Sequence, residues 1–148
     1  MPATLRERIG DALWTALQAL APDYRLWRGE TRMPTEAEMP VVNLLVLDHR
    51  PVSQATSAWE MELTVQLDGW IGGADGPALE RAIAGVYGAV LTAVSADTSL
   101  GGLADDVREV DFVVSHDTTE GHAPYANATL ELVVPYGQAE ADPYTQAP

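Results

Sequence analysis

Seven residues late in the chain, Asp105, Asp106, Asp111, His116, Asp117, Glu120 and His122, carry the side-chain types that bind divalent cations. The run "HDTTEGH" puts two histidines and two carboxylates on one short segment, and oxygen with imidazole donors suits such ions. The spacing argues against a site. A calcium loop places acids at alternate positions and ends in glutamate, and that order is missing. His116 and His122 are six residues apart, so they do not lie on adjacent turns of one helix face. A chain with 22 Asp and Glu gathers such clusters without selection, and a solvated hairpin rim explains this one. No metal ligand is assigned.

Other chemistries fare no better. In "TSLGGLADDVREVDFVV" the glycine pair follows an apolar helical stripe and precedes a strand. A phosphate loop has the opposite order, strand then glycines then helix, so that free N–H groups meet the anion. Gly101 and Gly102 therefore read as a helix ending near a left-handed cap. Ser53, Ser57, Ser95, Ser99 and Ser115 stand in no G-x-S-x-G elbow. No pair of carboxylates is singled out for hydrolysis. His49, beside Arg50 at a strand end, reads as a surface histidine. With no cysteine and no lysine, thiolate and Schiff-base chemistry are excluded. No catalytic residue and no cofactor is expected.

Charge narrows the partners. The net charge is −14, and all eight basic residues are arginine. Five of them, Arg6, Arg8, Arg25, Arg28 and Arg32, fall in the first 32 residues beside four acids, so that segment is near neutral and the rest strongly acidic. Specific nucleic-acid binding needs phosphate-neutralising cations that this chain lacks, and an anionic membrane surface repels it. No continuous apolar run approaches the roughly 18 residues of a membrane span. The start of the chain is amphipathic, unlike the apolar block of a signal peptide.

The elements that would position these residues follow from periodicity. Residues 4–20 show a helical stripe of Leu5, Ile9, Ala12, Leu13, Ala16 and Leu20, stopped by Pro22. Trp14 lies about 180° from Leu5 at 100° per residue. It either folds against a neighbouring loop or anchors another subunit. Residues 24–28 read as a short strand and 29–40 as an exposed loop. "VVNLLVLD" (41–48) reads as a central strand, and "PVSQATS" after it as loop. Residues 58–71 alternate Trp59, Met61, Leu63, Val65, Leu67 and Ile71 with polar positions, which predicts a strand with one buried face. Trp70 falls on the wet side.

A second helix begins at Asp75 or Gly76, with Pro77 in its first turn and a stripe from Leu79 to Val94. Strands follow at 107–115 and 125–136, joined by "HDTTEGHAP", and residues 138–148 read as a disordered tail. The expected fold is α+β, a single domain over 1–137. It has a mainly antiparallel, possibly mixed sheet of four to five strands, with both helices packed on one face.

The order of four segments, "LRERIGDALWTALQAL", "WEMELTVQLDGWI", "ALERAIAGVYGAVLTAV" and "DTSLGGLADDVREVDFVV" leading to "YANATLELVVPY", resembles the lambda-type tail terminator (minor tail, tail completion) proteins of long-tailed bacteriophages and prophages. The resemblance implies a structural protein and not an enzyme. Such a protein forms a ring, commonly a hexamer, that caps the tail tube, ends tube polymerisation and presents a surface for head joining. Its implied partners are copies of itself, the tail tube protein and the head–tail connector protein. DNA passes through the ring without specific binding, no membrane is involved, and assembly in the bacterial cytoplasm places the protein in the virion tail. Another tail or injection-apparatus adaptor, or a small metal-dependent enzyme using "HDTTEGH", are the competing readings. On the ring reading, the "GETRMPTEAEMP" loop with Arg28 and Arg32, and the faces bearing Trp14 and Trp70, are the expected oligomer or tube contacts, since arginine pairs carboxylates well at interfaces.

Overall fold

A computed structural model of the protein describes residues 1–117 and 124–148. Helix α1 (Leu5–Leu17) is set by Thr4, whose hydroxyl accepts from the Glu7 amide at 3.3 Å while the Glu7 carboxylate accepts from the Thr4 amide at 2.7 Å. This reciprocal cap satisfies two N-terminal donors. It holds the Glu7 carboxyl below its usual range, chiefly through the Thr4 amide bond. A short 3₁₀ turn (Gln18–Leu20) extends the helix to the expected end.

Strand β1 (Arg25–Arg28) leads through the 29–40 loop to β2 (Val41–Ala55), which turns at Thr56 and Ser57 into β3 (Ala58–Gly72). Helix α2 (Gly76–Ser95) follows, then β4 (Arg108–Asp117), β5 (Tyr125–Ala139) and β6 (Asp142–Gln146). The sheet order is β1-β2-β3-β5-β4, with β1 parallel to β2 and the other pairs antiparallel. Strand β6 pairs the far end of β5, beyond the stretch that β4 covers. The protein is thus a single α+β domain with a mixed, curled sheet and two helices on one face.

Period two carries the core. Met61, Leu63, Val65, Leu67 and Ile71 of β3 are buried, as are Ala126, Ala128, Leu130, Leu132, Val134 and Tyr136 of β5. These positions share the helix-facing side because directly paired residues lie on one face, and Leu63 with Val134 is one such pair. Leu5, Ile9, Leu13 and Leu17 of α1 and Leu79, Ile83, Val86, Val90 and Val94 of α2 complete one cluster. Among the described residues one helix, α2, is by length and mean hydropathy (1.2) long and apolar enough to cross a membrane, although no continuous apolar run stands out in the sequence. Here its apolar stripe closes over β3 and β5.

Three expectations are corrected. Most of the stretch "PVSQATS" is not loop: residues 51–55 continue β2, which pairs β3 as far as Ala55 with Ala58, and only Thr56 and Ser57 form the turn. Its side chains are wet on both faces, so they lack the alternation that marks a half-buried strand. Residues 138–148 are not a disordered tail. Gln138 pairs Gln146, the Ala147 amide donates to Gly137 O at 3.3 Å, and the Gln146 amide group donates to Gly102 O at 2.7 Å. The sheet therefore has six strands. The glycine pair also sits later than a helix cap, which is Ala96. Leu100, Gly101 and Gly102 all have positive φ, in a turn organised by Asp97, which accepts from the Ser99 hydroxyl at 2.6 Å and the Gly101 amide at 2.9 Å.

Candidate assembly interface

Three of the four expected contact residues gather near the β1 edge. The Arg28 guanidinium meets the Asp11 carboxylate of α1 at 2.7 Å, with both side chains substantially exposed. Trp14 stands one turn further along α1, on the same side as Asp11, and is half-buried against the core.

Arg32 sits in the 29–40 loop, which folds back on itself. Its two terminal nitrogens bind the Glu38 carboxylate at 2.8 and 2.9 Å, and its guanidinium carbon lies 4.2 Å over the Trp27 ring. Glu38 also accepts from the Thr35 amide at 2.9 Å, closing a capping box on the short 3₁₀ turn Glu36–Glu38. A bidentate arginine–carboxylate pair of this kind fixes geometry as well as charge.

Trp70 belongs to a different neighbourhood. It is half-buried at the end of β3, paired with Val41 and Asn127, and its ring lies 6.1 Å from that of Tyr125. The Tyr125 hydroxyl donates to Asp117 at 2.7 Å and is 3.6 Å from the Met33 sulfur. The loop thus runs from the β1 edge to the sheet end that holds Trp70. Arg28 and Arg32 belong to β1 and this loop, Trp14 to α1 and Trp70 to the end of β3, so the four do not form one patch.

Glu38 gives the loop a pH dependence. Its carboxyl is lowered from the usual 4.5 to about 2, first by the Arg32 pair and then by the Thr35 amide. A carboxyl depressed in the folded state stabilises above its unfolded value, and that contribution is lost as pH falls toward the folded value. Loop order is therefore expected to be complete above about pH 4.5 and to fade between there and about pH 2. Tryptophan fluorescence of the wild type minus that of Glu38→Gln should isolate this titration. Identical curves for the two proteins would refute it.

The sheet face away from the helices is polar and concave. Asp68 accepts from Gln66 and from Thr129, both at 2.9 Å, and Arg50 pairs Glu62 at 3.3 Å. A depression of about 380 Å³ on this face is lined by Asp48, His49, Arg50, Glu62, Glu131 and their neighbours. Of the suspected metal run, His116 is exposed on β4 and Asp117 receives the Tyr125 hydroxyl, while Glu120 and His122 lie outside the described residues. Among the described residues no group of three or more His, Asp or Glu is arranged to hold a metal.

Sequence reading missed the residues whose charge is unspent. Arg8 and Arg25 are exposed and take part in no ion pair among the described residues, unlike Arg28 and Arg32. Nothing in a single sequence separates an arginine paired across 17 positions, as Arg28 is with Asp11, from one left unpaired. Compared with known proteins, the chain matches no family model and no curated protein.

Proposed function

We propose that this protein is a structural component of a phage or prophage tail: a ring of identical copies that seats on the finished tail tube, blocks further tube growth and offers its other face to the head connector. The observation that supports this most is the outer half of β2. All nine residues from Leu47 to Ala55 are exposed although they lie in β2, six of them paired to β3 and Leu47, Asp48 and Val52 at its two register shifts. Val52 there is 53% exposed and Leu47 37%. Arg6 of α1 donates to the Val46 and Leu47 carbonyls at this edge, and the wet strand beyond them is a template for another chain, which suits a protein whose working state includes neighbours. The acidic balance fits a lumen that lets DNA pass without holding its phosphates.

Capping is steric on this reading. A ring occupying the terminal tube surface removes the site where the next tube subunit would add. Val52→Asp combined with Leu47→Asp is expected to leave the fold within about 0.5 kcal/mol, as exposed substitutions usually do. Binding to tube ends should weaken by about tenfold or more, as loss of central apolar contacts does. Tube polymerisation assayed with wild-type and variant protein checks this. Continued tube growth in excess wild-type protein would refute the reading.

A further inference from the structure

We propose that neighbouring copies of this chain exchange the segment 142–147, so that β6 of each copy docks on the β5 of the next and not on its own. The inference rests on the ring reading above and names a contact between its subunits. A shaped slot is the first observation. The outer side of β5 is covered by β4 as far as Val133, and the Asp105 amide donates to Pro135 O at 2.8 Å. Beyond that point the 142–147 segment covers it. The Ala147 amide donates to Gly137 O at 3.3 Å, and the Gln146 side chain donates to Gly102 O at 2.7 Å. A Cβ at Gly137 would stand 3.0 Å from the Ala147 Cβ, so the glycine leaves the room that Ala147 fills.

The tether is the second observation. Segment and slot fit, but the turn that joins them does not. Two residues, Glu140 and Ala141, connect β5 to β6, where a two-residue hairpin favours glycine, asparagine or aspartate. Ala141 takes a φ of 53°, the left-handed region in which a Cβ crowds the following carbonyl oxygen. Glu140 is held on the β2–β3 turn: its amide donates to Ser57 O and its carboxylate accepts from the Ser57 amide, both at 3.3 Å. The change of direction therefore falls on Ala141. After it only Ala139 with Asp142 and Gln138 with Gln146 are paired, and residues 143–145 lie at the register shift between them. Pro143 has no amide to donate, and Asp142 accepts from the Tyr144 amide at 2.9 Å within the segment itself.

Exchange between copies keeps the fit and releases the strain. With Ala141 in an extended conformation, the segment leaves its own β5 and meets the identical slot of a neighbour, with the same hydrogen bonds. Short hinges under strain favour exchange of this kind. Each copy gives one segment and receives one, a heterologous contact that closes a ring when repeated by a fixed rotation.

The chain has no cysteine, so introduced ones report without background. Gln138→Cys and Gln146→Cys, partners in the β5–β6 pair, would be made as separate proteins, checked for unchanged circular dichroism, mixed with tail tubes and oxidised. A disulfide joining one of each is expected, and in the double variant a ladder of linked copies. The yield of oligomer, free or on tubes, gives a second measure that needs no cysteine. Ala141→Gly, which takes a positive φ freely, should lower that yield about tenfold, the weight of one relieved left-handed residue. Ala141→Pro, fixed at a φ of about −65°, should raise it. No link between the folded unlike variants while wild-type rings form on the tubes, or an equal yield from both hinge variants, would overturn the exchange and leave the ring reading standing. Linked pairs that never build a ring would overturn the ring reading and keep the exchange. Wild-type protein that forms no oligomer alone or on tubes would overturn both.

Discussion

Leu63→Ala is expected to lower the unfolding free energy by about 2–5 kcal/mol, the range for emptying a buried leucine site that relaxes only in part. Leu63 is fully buried at the middle of β3, with His49 of β2 and Val134 of β5 as its strand partners. Its side chain belongs to the cluster that also contains Ile9 of α1 and Val86 of α2, so truncation opens a void between sheet and helices. Neighbours on three elements fix the walls, which limits collapse into the gap. Urea titration should show a lower midpoint with an unchanged slope, the sign of lost stability without a changed unfolded state. A loss under about 0.5 kcal/mol, typical of surface positions, would mean that this site is not packed as described.

The second large effect concerns a missing side chain. Gly69 interrupts the buried series Leu67, Gly69, Ile71 on the helix-facing side of β3. A Cβ placed there would stand 3.2 Å from Val86 Cγ2 and 3.5 Å from Ala128 O. Val86 of α2 therefore occupies the space that a side chain at this position of β3 would need. Gly69→Val is expected to cost about 1–3 kcal/mol by overpacking. Val86→Ala should recover part of that loss in the double variant, since residues in contact couple. Strictly additive losses would show that the two positions do not touch.

These two positions also mark what a sequence can and cannot disclose. Leu63 was legible because its neighbours alternate over a full strand, and period two needs no knowledge of what packs above. Gly69 read only as a gap in that pattern. Its meaning depends on Val86, which the chain brings in 17 residues later. Residues 51–55 read as loop because both faces are wet, and β6 falls in the expected disordered tail because its residues pair only the far end of β5. In each case the strand exists through a non-local partner and not through its own composition. The surface was the least legible part. Trp70 appeared exposed until Tyr125 reached it across the β3–β5 pair. Arg32 and Arg25 look alike in the sequence, yet Glu38 folds back onto Arg32 and Arg25 has no carboxylate partner among the described residues.

The central claim is that this protein ends a tail tube. Electron microscopy of purified tail tubes incubated with the protein tests it most directly. The expected image is a closed ring of density on one end of each tube and none along its sides, with ringed tubes no longer lengthening when tube protein is added. Bare ends at saturating protein, or density spread along the tube walls, would contradict the claim.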